Sequence, residues 1–208
     1  DSQYWRMLAP HFELMDTRVT WLHQFVKSTS MPTPKDADVL LRKLNKASNE
    51  PHCLFETRPT ITALAKSIRD YVHLIRTTKQ LRTISQTFVP EGSKANLWPL
   101  FQDEWFDSMC GRTAIRHCLL LSIIEETLAS TPHQNTGLFI MENQPWEMAL
   151  IHAWRSAGHG RLIGVVNAPI RFWDLRYFYN DFGRNRSAPN QVAVNSPISR
   201  NLLEEVGV

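Results

Sequence analysis

The sequence predicts an α/β fold built on a mainly parallel sheet with helices on both faces, and three observations carry that expectation. Five short apolar runs, at 19–25, 53–55, 138–142, 162–166 and 191–194, each stop at polar residues. Most of them are separated by segments whose apolar residues recur at helical spacing. The stretch 137–178 by itself reads as strand, helix, strand, and parallel neighbours need crossovers of that kind.

Residues 4–14 form a short amphipathic piece, and Val19, Trp21, Leu22, Phe25 and Val26 follow as a strand with its exit loop. A polar connector containing proline, 28–34, leads to a helix over 36–47 with apolar positions at Val39, Leu40, Leu44 and Ala47. The next run, 53–55, is a short strand ended by Glu56, Thr57 and Arg58. From 59 to 88 the chain lacks glycine and mixes apolar with basic residues, which suits one long helix or two broken ones. A loop at 90–94 precedes a second helical stretch, 97–130, with a break near Gly111. The whole block 59–130 is too long for one crossover, so it is expected as a helical insertion beside the sheet.

The run 138–141 stops at Glu142, Asn143 and Gln144, and Pro145 then suits a first helical position, where its missing amide has no partner to lose. Glu147 in the first turn favours the helix dipole. Trp146, Ala149, Leu150, Ala153 and Trp154 make one apolar stripe, and Gly158 is placed to end the helix. Residues 162–166 give the next strand and 191–194 the last. Asn195 and Ser196 follow, and Ser196 with Pro197 forms an N-cap and first-turn pair for a helix ending at Gly207. The reading is a single Rossmann-like domain over 1–208.

With 208 residues, 43% hydrophobic and 10% aromatic, the chain has ample material for a packed core. Its net charge of +3 comes without a basic block, which argues against nucleic acid as a partner. Cys53, Cys110 and Cys118 show no paired spacing and sit in apolar contexts, so free thiols and a reducing, cytoplasmic compartment are expected. The start DSQYWRMLAP has no export pattern, and the most apolar run, 118–124, is too short to span a bilayer. The chain lacks an initiator Met and stops just past a helix end, so it is expected to be a fragment of a longer protein.

In open α/β sheets ligands bind beyond the carboxyl ends of the strands. Those ends carry His23 and Gln24, then Glu56, Thr57 and Arg58, then Glu142 and Asn143, then Asn167, and finally Asn195 and Ser196. Glu142 ends a strand beside a helix N-terminus and suits a general base or a binder of sugar hydroxyls; its alternative is a carboxylate satisfied by neighbouring amides. Arg171 and Arg176 flank Trp173 and Tyr177, a mixture that suits an anionic or ring-shaped ligand or a surface loop pinned by aromatic packing. His23 fits a core edge as well as a ligand contact. His152 and His159 stand almost two helical turns apart without a carboxylate or Cys in a zinc pattern, so no metal is expected there. GHGRLIG follows a helix and precedes a strand, the reverse of the dinucleotide fingerprint, and no GxxxxGK[ST], GxSxG or CxxC occurs.

The segments TWLHQFV, ENQPWEMALIHAWRSAGHG, RFWDLRYF and NSPISRNLLEEVG resemble those of bacterial surface-carbohydrate biosynthesis proteins, glycosyltransferase-like enzymes of GT-B architecture in O-antigen or capsule assembly. The resemblance runs in the same order along essentially the whole chain. It implies the N-terminal domain of a nucleotide-sugar-dependent glycosyltransferase, with nucleotide sugar and glycan acceptor as substrates and no resident cofactor. A C-terminal donor-binding domain lying outside the chain, and peripheral association with the inner membrane, belong to the same implication. It places Glu142, Asn143 and Gln144 at the cleft floor, His23 at its rim, and Arg171 and Trp173 on the loop facing the partner domain. One departure concerns Asn167, which stands where many GT-B enzymes carry a His. The competing reading is a binding or scaffold domain that holds a glycan or a partner protein, and a third is an unrelated enzyme on a flavodoxin-like sheet.

Overall fold

A computed structural model describes residues 5, 8–15, 17–47, 50–57, 59–81, 83–142, 144–167, 170 and 188–205. The chain begins with α1 (Ala9–Leu14), β1 (Trp21–His23), α2 (Pro34–Ala47) and β2 (His52–Leu54), followed by a 3-10 turn at Phe55–Thr57. Three helices come next, α3 (Ile61–Gln80), α4 (Trp98–Cys110) and α5 (Arg112–Ser130). The remainder alternates β3 (Thr136–Met141), α6 (Pro145–Ser156), β4 (Arg161–Val166), β5 (Gln191–Ala193) and α7 (Pro197–Glu205). The fold is mixed α/β with short parallel strands, as the apolar runs predict.

Among the described residues the strands do not form one five-stranded sheet. They form two parallel ladders, β1–β2 and β3–β4–β5. The reason lies in strand length and burial. β1 and β2 have three residues each and only Leu54 among them is fully buried, so neither offers a continuous apolar edge to extend the sheet. β3 and β4 have six residues each and pair over their full length, from Thr136↔Arg161 to Met141↔Val166.

One face of this larger sheet carries the core. Phe139 and Met141 on β3 and Leu162, Gly164 and Val166 on β4 are buried, and by register they share that face. The intervening residues Leu138, Ile140, Ile163 and Val165 are less deeply covered, with Leu138 at 38% exposure. The runs GLFIM and LIGVV read as strands covered on both sides; only one side is packed to that depth. Against it sits the apolar stripe of α6, where Leu150, Ile151, Ala153 and Trp154 are buried. Gly137 is small because Trp154 lies there: a Cβ would come within 2.5 Å of the indole. α6 ends as the sequence predicts, with Gly158 at φ +71°. Its amide donates to the Arg155 carbonyl and that of His159 to the Trp154 carbonyl, a Schellman closure.

The helices of 59–130 are not set apart as an insertion. α5 enters the main core through Ile123, Ile124 and Leu128 and packs on α6. α3 lies against α5 through small residues, Ala63 and Ser67, with the Ser67 hydroxyl donating to the Ala63 carbonyl at 2.7 Å. Thr60 caps α3 by accepting from the Ala63 amide, and its hydroxyl donates to Glu126 of α5 at 2.6 Å. Gly111 separates α4 from α5, at the break the sequence marks. No described helix is long and apolar enough to cross a membrane.

Candidate functional site

Because β3, β4 and β5 are parallel, their carboxyl ends share one edge. Met141 pairs with Val166, and Val165 with Ala193. One residue beyond the first pair and two beyond the second, the register sets Glu142, Asn167 and Asn195 side by side, on strands spaced about 4.8 Å apart. All three are exposed. Gln144 is exposed as well, at the N-cap of α6. Ser196, half-buried, is engaged as a cap: its Oγ accepts from the Ser199 amide at 3.1 Å, which occupies the hydroxyl the sequence assigns to ligand.

Beneath Glu142 lies a carboxylate that the sequence reading treats only as a dipole partner. Glu147 is 1% exposed, and its Oε1 accepts from the amides of Glu142 at 2.8 Å and Gln144 at 2.9 Å. The Glu147 amide in turn donates to the Gln144 carbonyl. The turn between β3 and α6 is thus clamped from inside. The spacing that signals it is present in the sequence: a polar N-cap followed three positions later by Glu, with Pro between them at the first helical position. An acid already serves the amino end of α6, so this end is a poor place for a phosphate, and the Ser196 cap occupies the matching position of α7. Among the described residues, the edge presents to solvent the carboxylate of Glu142 and the carboxamides of Gln144, Asn167 and Asn195, groups that hydrogen-bond to hydroxyls.

His23 does not join this row. It belongs to the β1–β2 ladder, where its Nε2 lies 3.0 Å from His52 Nδ1 and the two rings stack at 5.3 Å. Burial, then the neighbouring His52, pull the His23 pKa below the ordinary histidine range, and burial lowers that of His52 as well. Trp21 also stacks on His52, with ring centroids 6.2 Å apart, and its Nε1 donates to Glu50 at 2.5 Å. Glu56, at the end of β2, turns inward to accept from the Phe25 amide at 3.2 Å; burial raises its pKa despite that bond and the nearby Arg116. The two histidines of α6 and its exit part company. His152 faces Glu125 at 3.3 Å, while His159 accepts from the Gln134 amide and donates to the Leu128 carbonyl, a structural pin. Asn143, Arg171 and Trp173 lie outside the described residues.

A well-formed concavity lies elsewhere. A groove of about 380 Å³ is lined by β1 and the segment before it, by β3 from Thr136 to Ile140, and by Leu128, Leu150, Trp154 and Leu162 of the core. Glu142, Asn167 and Asn195 do not line it. No family model matches the chain, and no curated protein or solved structure matches it either.

Proposed function

We propose that the shared carboxyl edge of β3, β4 and β5 binds a hydroxyl-rich ligand and that the chain is the Rossmann-like N-terminal part of a nucleotide-sugar-dependent glycosyltransferase of bacterial surface-polysaccharide assembly. The observation that carries the reading is the row Glu142, Asn167, Asn195: three exposed polar side chains brought together from segments far apart in sequence. In this reading Glu142 accepts the proton of the attacking acceptor hydroxyl, and Asn167 and Asn195 hold neighbouring hydroxyls. Asn143 contributes from the β3 exit, and Arg171 and Trp173 from the loop that the resemblance sets facing the donor domain. Glu147 holds the Glu142 backbone and is a positioning residue. The donor nucleotide is held by a further domain across the cleft, in the cytoplasm and peripheral to the inner membrane.

The test is a transfer assay on the full-length protein with a panel of nucleotide sugars. Glu142→Gln is expected to lower turnover by roughly 10²-fold or more, the usual contribution of a positioned acid–base group, with the melting midpoint nearly unchanged. Asn167→Ala and Asn195→Ala are expected to raise KM for acceptor more than they lower kcat. Wild-type turnover in Glu142→Gln would sink the catalytic assignment. Glycan binding without turnover in the full-length protein would replace it with a binding domain.

A further inference from the structure

The groove beside β3 has a different chemistry from the carboxyl edge. Its walls are aromatic and aliphatic, with Trp21, Phe139, Trp146 and Trp154 among them. Its lining follows β3 from Thr136 to Ile140, a path of roughly 13 Å at the rise of a strand. Its volume falls in the range of roughly 300–1,000 Å³ typical of small-molecule sites. Polar groups gather where β1 and β3 begin: Thr17, Arg18 and Thr20 before β1, and Thr131, Gln134 and Thr136 at the start of β3. Arg18 is the one charged side chain among the described residues that line the groove. It is exposed, and none of the ion pairs among the described residues involves it.

We propose that this groove binds a single-chain anionic amphiphile, its apolar tail laid along β3 and its head held by Arg18. An aromatic-walled groove with one exposed guanidinium in its described lining matches a molecule that is apolar over most of its length and negative at one end. The polar side chains of the lining are confined to the amino end apart from Gln24, the distribution that one charged head and an apolar tail require. Thr20 and Thr136 also line the groove, and their hydroxyls are further donors available to a carboxylate or phosphate head. This site is independent of the carboxyl-edge reading and survives its failure.

The experiment is a titration of the protein with dodecyl phosphate, dodecanoate and dodecanol below their aggregation concentrations, read by tryptophan fluorescence and calorimetry. Both anions are expected to bind at one site and to shift the indole emission, because four indoles, Trp5, Trp21, Trp146 and Trp154, line the groove. The two heads separate phosphate from carboxylate preference. Arg18→Gln should weaken both anions roughly 10-fold or more, as expected for a lost charged hydrogen bond, and leave dodecanol unchanged. Leu138→Trp, which fills the trough from its wall, should abolish all three while retaining the wild-type melting midpoint. Equal affinity for dodecanol and the anions, binding that survives Leu138→Trp in a folded protein, or a concentration-dependent dimer that occupies the groove and suppresses the response would each overturn the proposal.

Discussion

The chain builds the same unit twice and gets two different results. β1–α2–β2 and β3–α6–β4 are both strand, helix, parallel strand, yet the first ladder is three residues long and the second six. Behind the first lies a small cluster, Ala37, Leu41 and Leu54, flanked by Phe25 and Met31. Behind the second lies the main core of the molecule, with Ile124, Leu128 and Ile151 almost wholly out of solvent. Where apolar burial is thin, polar side chains take over the fastening. Asn45 brackets His52 through both backbone groups, Trp21 holds Glu50, and His23 leans on His52. A parallel ladder therefore needs either a long apolar face or a set of side-chain clasps, and this protein uses one solution at each site.

The largest expected effect tests that contrast directly. Trp154→Ala removes a 5% exposed indole that fills the space over Gly137 and donates to the Gly160 carbonyl at 2.8 Å. Its cost is expected at roughly 3–5 kcal/mol. Leu54→Ala, at similar exposure in the short ladder, should cost about 2 kcal/mol, the low end for such truncations, because its small surroundings collapse more readily. Denaturant unfolding of both variants gives the two numbers, and hydrogen exchange should show the β1–β2 amides opening well below the global free energy. Equal costs, or equal protection in both ladders, would break the comparison.

The second effect compares two clamps of similar design at different depths. Glu147→Ala leaves the amides of Glu142 and Gln144 without their carboxylate and should cost roughly 1–3 kcal/mol, the usual penalty for unsatisfied buried groups. Asn45→Ala frees the amide and carbonyl of His52, but at an exposed position where water replaces the lost partner. Its effect should stay below about 1 kcal/mol. Chemical denaturation of the two variants under one buffer condition decides the matter; a larger loss in Asn45→Ala would mean that the short ladder depends on its clasp more than the turn depends on its buried acid.

The order of elements and the parallel pairing of β3 with β4 were legible because period and punctuation act locally: Pro145 opens a helix, Gly158 closes it, and the apolar stripe between them has one side. The row at the carboxyl edge was legible for the same reason, since parallel register carries Glu142, Asn167 and Asn195 to one line once the strands are known. Three things were not. The division into two ladders depends on how much burial β1 and β2 obtain, which rests on α2, α5 and the 3-10 turn at Phe55–Thr57 together. The depth of Glu147 depends on the β3–α6 turn folding back so that the Glu142 and Gln144 amides reach its carboxylate, although the capping spacing pointed to it. The groove, with Arg18 as the one cation among the described residues that line it, brings together β1, β3 and the core from segments far apart in sequence, which no local pattern encodes.

The smallest effect is one of pH, and it falls on the short ladder alone. His23 and His52 are held neutral in the folded protein, His23 chiefly by burial and then by its partner, His52 by burial. Unfolded histidine titrates near pH 6.5, so as the pH falls below about that value the unfolded chain binds protons that the folded chain refuses. Stability contributed by the pair is therefore full above that range and declines as the pH drops toward the lowered folded value. Glu56 acts in the opposite sense. Its folded pKa is raised, so as the pH falls through the upper carboxylate range the folded form takes up the proton first and gains stability. The two trends meet at the ends of β1 and β2, and the histidines act at the higher pH because their unfolded value is the higher. Unfolding free energies measured between about pH 7.5 and 5.5 should fall in the wild type, fall less in His23→Gln, and fall more steeply in Glu56→Gln at the acid end. The β1–β2 amides should lose exchange protection over that interval before β3–β4 does. Identical slopes in the wild type and His23→Gln would show that the histidine pair is a spectator, and the clasp would then rest on Asn45 and Trp21 alone.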